Sequence, residues 1–423
     1  MLREIIDSKK DVTVLDLGTN TICAATIRGQ SNDSEEGLGI GCTLRVLGVG
    51  YQLAKGLKRN SLTDMDELEE AIISTILSAG KEAKKSIKSV FVALPSWALS
   101  SHCATTSINI RNLPVDDIHV RSLANFDTSQ YVSDHSEVIQ IFPVSYSVDE
   151  IHDVVDPIGM VGSKLSAEFH LIAAQSSIIK NITYCLNQNN ISVSGFTSST
   201  YASALSVALD NEILSGVTLI DIGGSTTSVA CIYEGTLLYL GLIPVGSQNI
   251  TNDIATVLRT TKSNAERLKI LYGVSIGVTI DEEPILVSRV DEYGDETMQT
   301  ISKGTLDSIV SSRLDEILDL AQRHILECGA DKLLYQRVII TGGGSRLSGL
   351  SEFIKARKYF NGMAVRLGKP IGTVGSHDFV KTASFSCTAG SAICCLGELP
   401  HKMLAYMDKS LWQRIITWFR RGV

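Results

Sequence analysis

The sequence predicts an α/β fold in which two related domains face each other across a cleft. Three observations carry that expectation. At 423 residues the chain exceeds what one ordinary core organises, so two or three domains are expected. Its opening recurs in the middle: VTVLDLGTNTICAATIRG at 12–29 is matched by VTLIDIGGSTTSVACIYEG at 217–235. A third element, VIITGGGSRLSGL at 338–350, follows both.

In each copy of the repeat an aliphatic run ends in Asp-Leu-Gly or Asp-Ile-Gly, a Thr/Ser-rich turn follows, and a second apolar strand returns. Asp16 corresponds to Asp221 and Gly18 to Gly223, and two such strand–turn–strand units imply two similar domains. Gly18, Gly223 and Gly224 let the backbone turn sharply with its N–H groups outward. Thr19, Asn20, Ser225, Thr226 and Thr227 add side-chain donors, so the two loops suit a polyphosphate cradled from both sides. Asp16 and Asp221, at strand ends, suit the water shell of a Mg²⁺, which takes only one or two carboxylates. Two ordinary hairpins with polar turns are the alternative; the matched pair, with the third motif, favours the phosphate reading.

The third motif reads as an apolar strand running into Gly342, Gly343 and Gly344, with a helix starting near Gly349. Glycines there permit a flat ligand to approach the backbone. A fourth element, SNAERLKILYG at 263–273, reads as a helix with its N-cap at Ser263 and its stop at Gly273. Glu266 and Lys269 share one face of it, as a surface ion pair or as ligand contacts. Residues 64–85 read as an amphipathic helix with Leu68, Ile72, Ile76 and Leu77 inward. Residues 305–328 read as a long helix, 138–148 as a half-buried strand, and 30–41 as a mobile loop.

Composition narrows the function classes. Hydrophobic residues are 44% and charged residues 20%, as in a soluble globular protein. The formal charge of −8 argues against a general nucleic-acid binder. No apolar run is long enough to span a bilayer, and MLREIIDSKK lacks the apolar core of a secretory signal. Nine cysteines without a CxxC pair suggest reduced thiols; the adjacent Cys394 and Cys395 read as small core residues of a helix. The eight histidines show no metal-ligand spacing.

The three glycine-bearing loops resemble the phosphate-1, phosphate-2 and adenosine motifs of the actin, Hsp70 and sugar-kinase superfamily. That resemblance implies an actin-like ATPase fold with ATP and Mg²⁺ in a cleft between two domains. The nucleotide contacts it implies are Asp16, Gly18, Thr19, Asn20, Thr21, Asp221, Gly223, Gly224, Ser225, Thr226, Glu266, Lys269, Gly342, Gly343 and Gly344, with Mg²⁺ held through water by Asp16 and Asp221. Within the superfamily the chain is most similar to the FtsA family, nearly end to end. The stretches AEFHLI at 167–172, the following helix from 176 to 188, and IPVGSQNITNDIA at 243–255 carry that similarity.

The FtsA resemblance implies a division into subdomain 1A at 12–85 and 173–197, subdomain 1C at 86–172, subdomain 2A at 198–246 and 305–396, subdomain 2B at 247–304, a short linker at 397–408 and a membrane-targeting helix at 409–423. It implies a peripheral protein on the cytoplasmic face of the bacterial inner membrane, at the division site. Implied partners are the C-terminal peptide of FtsZ, further copies of the chain, and later division proteins, with 1C facing neighbours. Arg313 and Glu316 match the Arg and Glu that take part in peptide capture; an i,i+3 surface ion pair is the alternative. One position departs from the family: Thr21 stands where Lys is usual. A neutral donor there leaves binding to backbone N–H groups and Mg²⁺, with at most weak ATPase activity. No residue stands out as a general base.

The last fifteen residues carry their own signal. On a helical wheel Leu411, Trp412, Ile415, Ile416, Trp418 and Phe419 fill one arc of roughly 160°. Gln413, Arg414, Thr417, Arg420 and Arg421 fill the other side. The segment has basic residues, no acidic one, and two of the three tryptophans, which is the pattern of a helix lying in an anionic lipid interface. A terminal helix docked on a protein groove is the alternative. A pilus-assembly adaptor of the PilM type and a small-molecule kinase compete on the same fold, but neither needs such a tail.

Overall fold

The computed structural model describes residues 10–31, 42–58, 61–274, 283–290, 296–329 and 337–397. Of the loop expected at 30–41, Gln30 and Ser31 instead end strand Thr21–Ser31, paired with Thr43 and Cys42; its remainder, nearly all of the linker, and the expected helix at 409–423 lie outside the described residues.

Two sheets organise the described chain. The first has six strands in the order Ser192–Ser198, Ser89–Leu94, Asp11–Leu17, Thr21–Ser31, Cys42–Leu53 and Thr373–Val374. The second has five, in the order Thr236–Ile243, Thr227–Tyr233, Val217–Ile222, Arg337–Thr341 and Ala364–Leu367. Each repeat copy forms an antiparallel hairpin at the centre of its sheet, and the register is the same. Asp16 pairs with Cys23 and Asp221 with Ser228, seven residues on in both cases. On its other side each Asp strand has a parallel neighbour, Asp16 opposite Ala93 and Asp221 opposite Thr341. The strands are apolar on both faces because helices cover both sides: Val14, Leu15, Leu219 and Ile220 are all buried.

Helix Met65–Ala83 lies over the first sheet. Asp64 caps it by accepting a hydrogen bond from the Glu67 N–H, and Lys84 ends it in the left-handed region at φ 53°. Leu68, Ile72 and Ile76 face the core as expected, but Leu77 is 64% exposed. One step of about 100° past Ile76 turns it out of the buried stripe. The strand expected at 138–148 runs Ser136–Val148, and the long helix expected at 305–328 runs Lys303–Glu327.

A four-stranded sheet, in the order Leu99–Pro114, Val161–Gln175, Ser136–Val148 and Ile151–Val154, is inserted after the first sheet's strand Ser89–Leu94. It has a core of its own around Val120, Leu123, Phe169 and Leu171. Two stretches sit elsewhere than the sequence boundaries put them. Ser89–Leu94, grouped at the sequence level with 86–172, runs parallel to Asp11–Leu17 inside the first sheet. At the other end, Thr373–Val374 pairs with Leu44 and Arg45, and helix Ser386–Leu396 packs on strand Asp11–Leu17, so this stretch of 305–396 returns to the first sheet. Both placements come from long-range pairing, which local patterns do not encode.

Candidate functional site

The two hairpin turns meet. Thr19 Oγ1 accepts a hydrogen bond from the Ser225 N–H at 3.1 Å, and Ser96 Oγ lies 3.5 Å from Thr226 Oγ1. Gly224 has no room for a side chain, since a Cβ there would sit 2.7 Å from the Cβ of Asn20. Behind the second turn, helix Ser247–Val257 begins with its first amides donating to the loop: Ser247 N–H to Gly223 O at 3.0 Å and Gln248 N–H to Gly224 O at 2.8 Å.

Beneath the turns is a cavity of about 440 Å³ lined by both halves. Asp16, Gly18, Thr19, Asn20 and Thr21 form one wall, and Asp221, Gly223, Gly224 and Thr226 the facing one. Gly342, Gly343 and Gly344 close an end, with Glu266 and Lys269 beside them. Gly342 has φ 85°, and a Cβ there would overlap Asp221 Oδ1, so glycine is required twice over. Two of the expected loop donors stand outside the lining: the Ser225 amide holds the two loops together instead, and the buried Thr227 hydroxyl donates to the Val245 carbonyl at 2.8 Å.

Asp16 and Asp221 lie across the cavity's base, half-buried and without an ion-pair partner among the described residues. Burial pushes Asp16 up to about 7; a hydrogen bond with Cys387 opposes the rise and the Asp221 charge adds to it. Burial also raises Asp221, opposed by a 2.7 Å hydrogen bond from Ser203 Oγ. Two carboxylates held in a polar cavity at an energetic cost form a donor set that fits a hydrated divalent cation. Backbone-lined glycine turns at the same place fit phosphate oxygens.

Glu266 and Lys269 do pair, at 2.7 Å, with Lys269 buried at 8% exposure and the Glu266 side chain partly exposed. Its ammonium also donates to Thr251 Oγ1 at 2.9 Å, and Thr251 donates to Glu266 at 2.5 Å. The pair is thus a cavity wall fixed by a third residue. Their helix runs Lys262–Tyr272, capped by Thr261 rather than Ser263, because the Thr261 hydroxyl accepts from the Asn264 N–H. Gly273 ends it as expected. Arg313 and Glu316 also form an ion pair, and Arg313 makes a two-pronged bridge to Asp253 at 2.6 and 3.0 Å. That cluster joins helix Ser247–Val257 to helix Lys303–Glu327, outside the cavity lining.

Several lining residues escape sequence reasoning. Arg346 follows the three glycines by two positions, so extending that motif would have found it. Ser199 and Ser203 come from helix Ser199–Val207, and Ser384 and Cys387 from the returning segment; no local pattern marks them.

The family model described as "Cell division protein FtsA" matches residues 218–390, and that of the "SHS2 domain inserted in FTSA" matches residues 98–173, the inserted sheet. The cell division protein FtsA of Agrobacterium fabrum is 29% identical over 384 residues, covering 90% of this chain and 86% of its own. That of Pseudomonas aeruginosa is 28% identical over 389 residues, covering 91% and 89%. Among solved structures, a PilM–PilN type IV pilus biogenesis complex superposes with TM-score 0.63 at 14% identity, over 92% of this chain and 99% of the other. MreB5 of Spiroplasma citri bound to ADP superposes with TM-score 0.52 at 15% identity, over 93% and 99%. These structural likenesses are ones of fold. With both FtsA-specific models matched and relatives aligned along nine-tenths of its length, the chain belongs to the FtsA family of cell-division proteins and has the actin-like ATPase fold.

Proposed function

We propose that this protein holds Mg·ATP in the cleft between its two sheets and tethers FtsZ filaments to the cytoplasmic membrane through residues 409–423. It associates with further copies of itself and helps to recruit later division proteins. The observation that carries this reading is the coexistence, in one FtsA-family chain, of a cleft built from matched glycine turns and a cationic, Trp-rich terminal segment.

In the cleft, the amides of the two turns hold phosphate oxygens, and Thr19, Thr21 and Thr226 add hydroxyl donors. Asp16 and Asp221 orient the waters of the metal, and Ser203 keeps Asp221 in place. When bound, Mg²⁺ neutralises part of the phosphate charge. Gly342, Gly343 and Gly344 leave room for the base against the backbone, beside Glu266 and Lys269. Because Thr21 supplies no positive charge, the chain binds nucleotide and turns it over slowly at most. Arg313 and Glu316, held by Asp253, offer a preset polar pair to the FtsZ peptide.

Among the described residues no helix is long and apolar enough to cross a membrane, so attachment falls to the amphipathic segment. A PilM-like adaptor shares the fold, and a small-molecule kinase would share the cleft, but neither has a use for that segment. The test is co-sedimentation with anionic liposomes. Full-length protein is expected to pellet and to carry an FtsZ C-terminal peptide with it, while deletion of residues 410–423 abolishes pelleting and leaves ATP binding unchanged. Equal pelleting of both forms would refute the anchor.

A further inference from the structure

Helix Ser386–Leu396 starts beside the cleft, with Cys387 against Asp16, and runs down the first sheet to its far edge. There Cys395 meets Lys10 and Ser194, and the described chain leaves at Gly397. The three parallel strands of the sheet begin at that same edge: Ser192 pairs with Ser89, and Val14 with Phe91. The phosphate turns are at the opposite ends of these strands.

Cations gather at this edge. Helix Met65–Ala83 ends there, and Lys81, Lys84, Lys85 and Lys88 are all exposed around its C-terminus. Ser192 N–H donates to the Lys88 carbonyl at 2.9 Å, which ties that turn to the neighbouring strand. Lys10 is exposed, and Arg28 and Arg45 face each other on the next two strands. The carboxylates next to these cations, Asp11 and Glu82, are already held. Asp11 is bridged by Arg28 at 2.6 Å and by Lys85, and Glu82 accepts from the Val49 N–H at 2.8 Å and from His377.

The charge of −8 includes the four basic residues of 409–423, so the remainder carries −12. A body of that charge is repelled by an anionic surface unless it presents a cationic side, and such fields act only within about 8 Å at physiological salt. Residues 398–408 span at most roughly 40 Å even when fully extended, so the exit edge is the part of the body best placed to approach. We propose that this edge, Lys10, Lys84 and Lys88 with Arg45, is a second membrane contact that rests on anionic lipid headgroups and turns the nucleotide cleft away from the bilayer. The inference rests on the membrane reading above and adds to it a surface of the folded body.

Its test uses full-length protein and vesicles of phosphatidylglycerol in phosphatidylcholine. Each lysine near an anionic surface contributes about five-fold to partitioning, so Lys10→Glu/Lys84→Glu/Lys88→Glu is expected to weaken binding by at least about a hundred-fold. A control of equal charge change at exposed sites outside this edge, Lys55→Glu/Lys262→Glu/Arg267→Glu, is expected to weaken it only a few-fold. Circular dichroism and thermal melts check that both triple variants are folded. Equal weakening by the two would reduce the effect to net charge and overturn the proposal. No weakening by either, with binding still lost on deleting residues 410–423, would overturn the edge contact and leave the tail anchor standing. Failure of the unaltered full-length protein to bind any anionic vesicle would overturn both.

Discussion

The two halves of the cleft share a motif and a register but not an environment. In the second half Asp221 is held by Ser203, and its turn is backed by the amides of helix Ser247–Val257. In the first half Asp16 has Cys387 as neighbour, and burial, with the Asp221 charge, raises its carboxyl to about 7. The outer ends of the sheets differ too. Glu212, only 5% exposed, is gripped by Arg366 at 2.5 Å and by Arg337 at 3.2 Å, whereas Asp11, itself less buried than Glu212, is bridged by Arg28 and Lys85. The lesson is that one repeat can sit in two surroundings: the second half is a wall fixed by Ser203 and a helix start, and the first half lies against Cys387 of the returning helix.

The sharpest way to break that comparison is Asp221→Ala, expected to weaken Mg·ATP binding by about a hundred-fold, the cost of removing a charged group from a preset site. Calorimetry checks it, and unchanged affinity would void the assignment of the fixed wall. Next is Glu212→Gln, expected to cost about 2 kcal/mol of stability, discounted from a fully buried pair because its arginines reach solvent. Its arginines hold the Glu212 carboxyl below the ordinary carboxylate value, although burial pulls the other way. Its contribution is therefore full above the ordinary value near 4.5 and is lost as pH falls through the lower folded one. Thermal melts between pH 7 and pH 3 should show the wild type and Glu212→Gln converging at the acid end.

Smaller effects sharpen the picture. Ser203→Ala should lower Mg·ATP affinity by about ten-fold with the fold intact, since one hydrogen bond to a charged group is lost. A weaker effect than that of Asp221→Ala on the same titration is required if Ser203 acts through Asp221. Thr21→Lys should tighten ATP binding by a few-fold by placing a cation among the phosphate donors. Looser binding would mean that the first wall has no room for it.

Much of this was legible in the sequence because its signals are local. The hairpins, the three glycines and the helix capped at Asp64 depend on residues within a few positions of one another. The pairing of Ser89–Leu94 with the first sheet, the return of Thr373–Val374, and the approach of Ser203 and Cys387 to the aspartates depend on contacts between distant segments. Helix Lys262–Tyr272 lies between. Its stop at Gly273 was readable, but the cap fell on Thr261, two positions before the expected Ser263, because its hydroxyl is the one that reaches the free Asn264 amide.

The central claim is that two matched turns form one site for a metal–nucleotide complex, and titration of ATP into the full-length protein, once with Mg²⁺ and once with EDTA, tests it most directly. Saturable binding in Mg²⁺ that weakens by an order of magnitude or more in EDTA is the predicted result. Equal binding under both conditions would remove the metal from Asp16 and Asp221, and no binding under either would contradict the cleft assignment altogether.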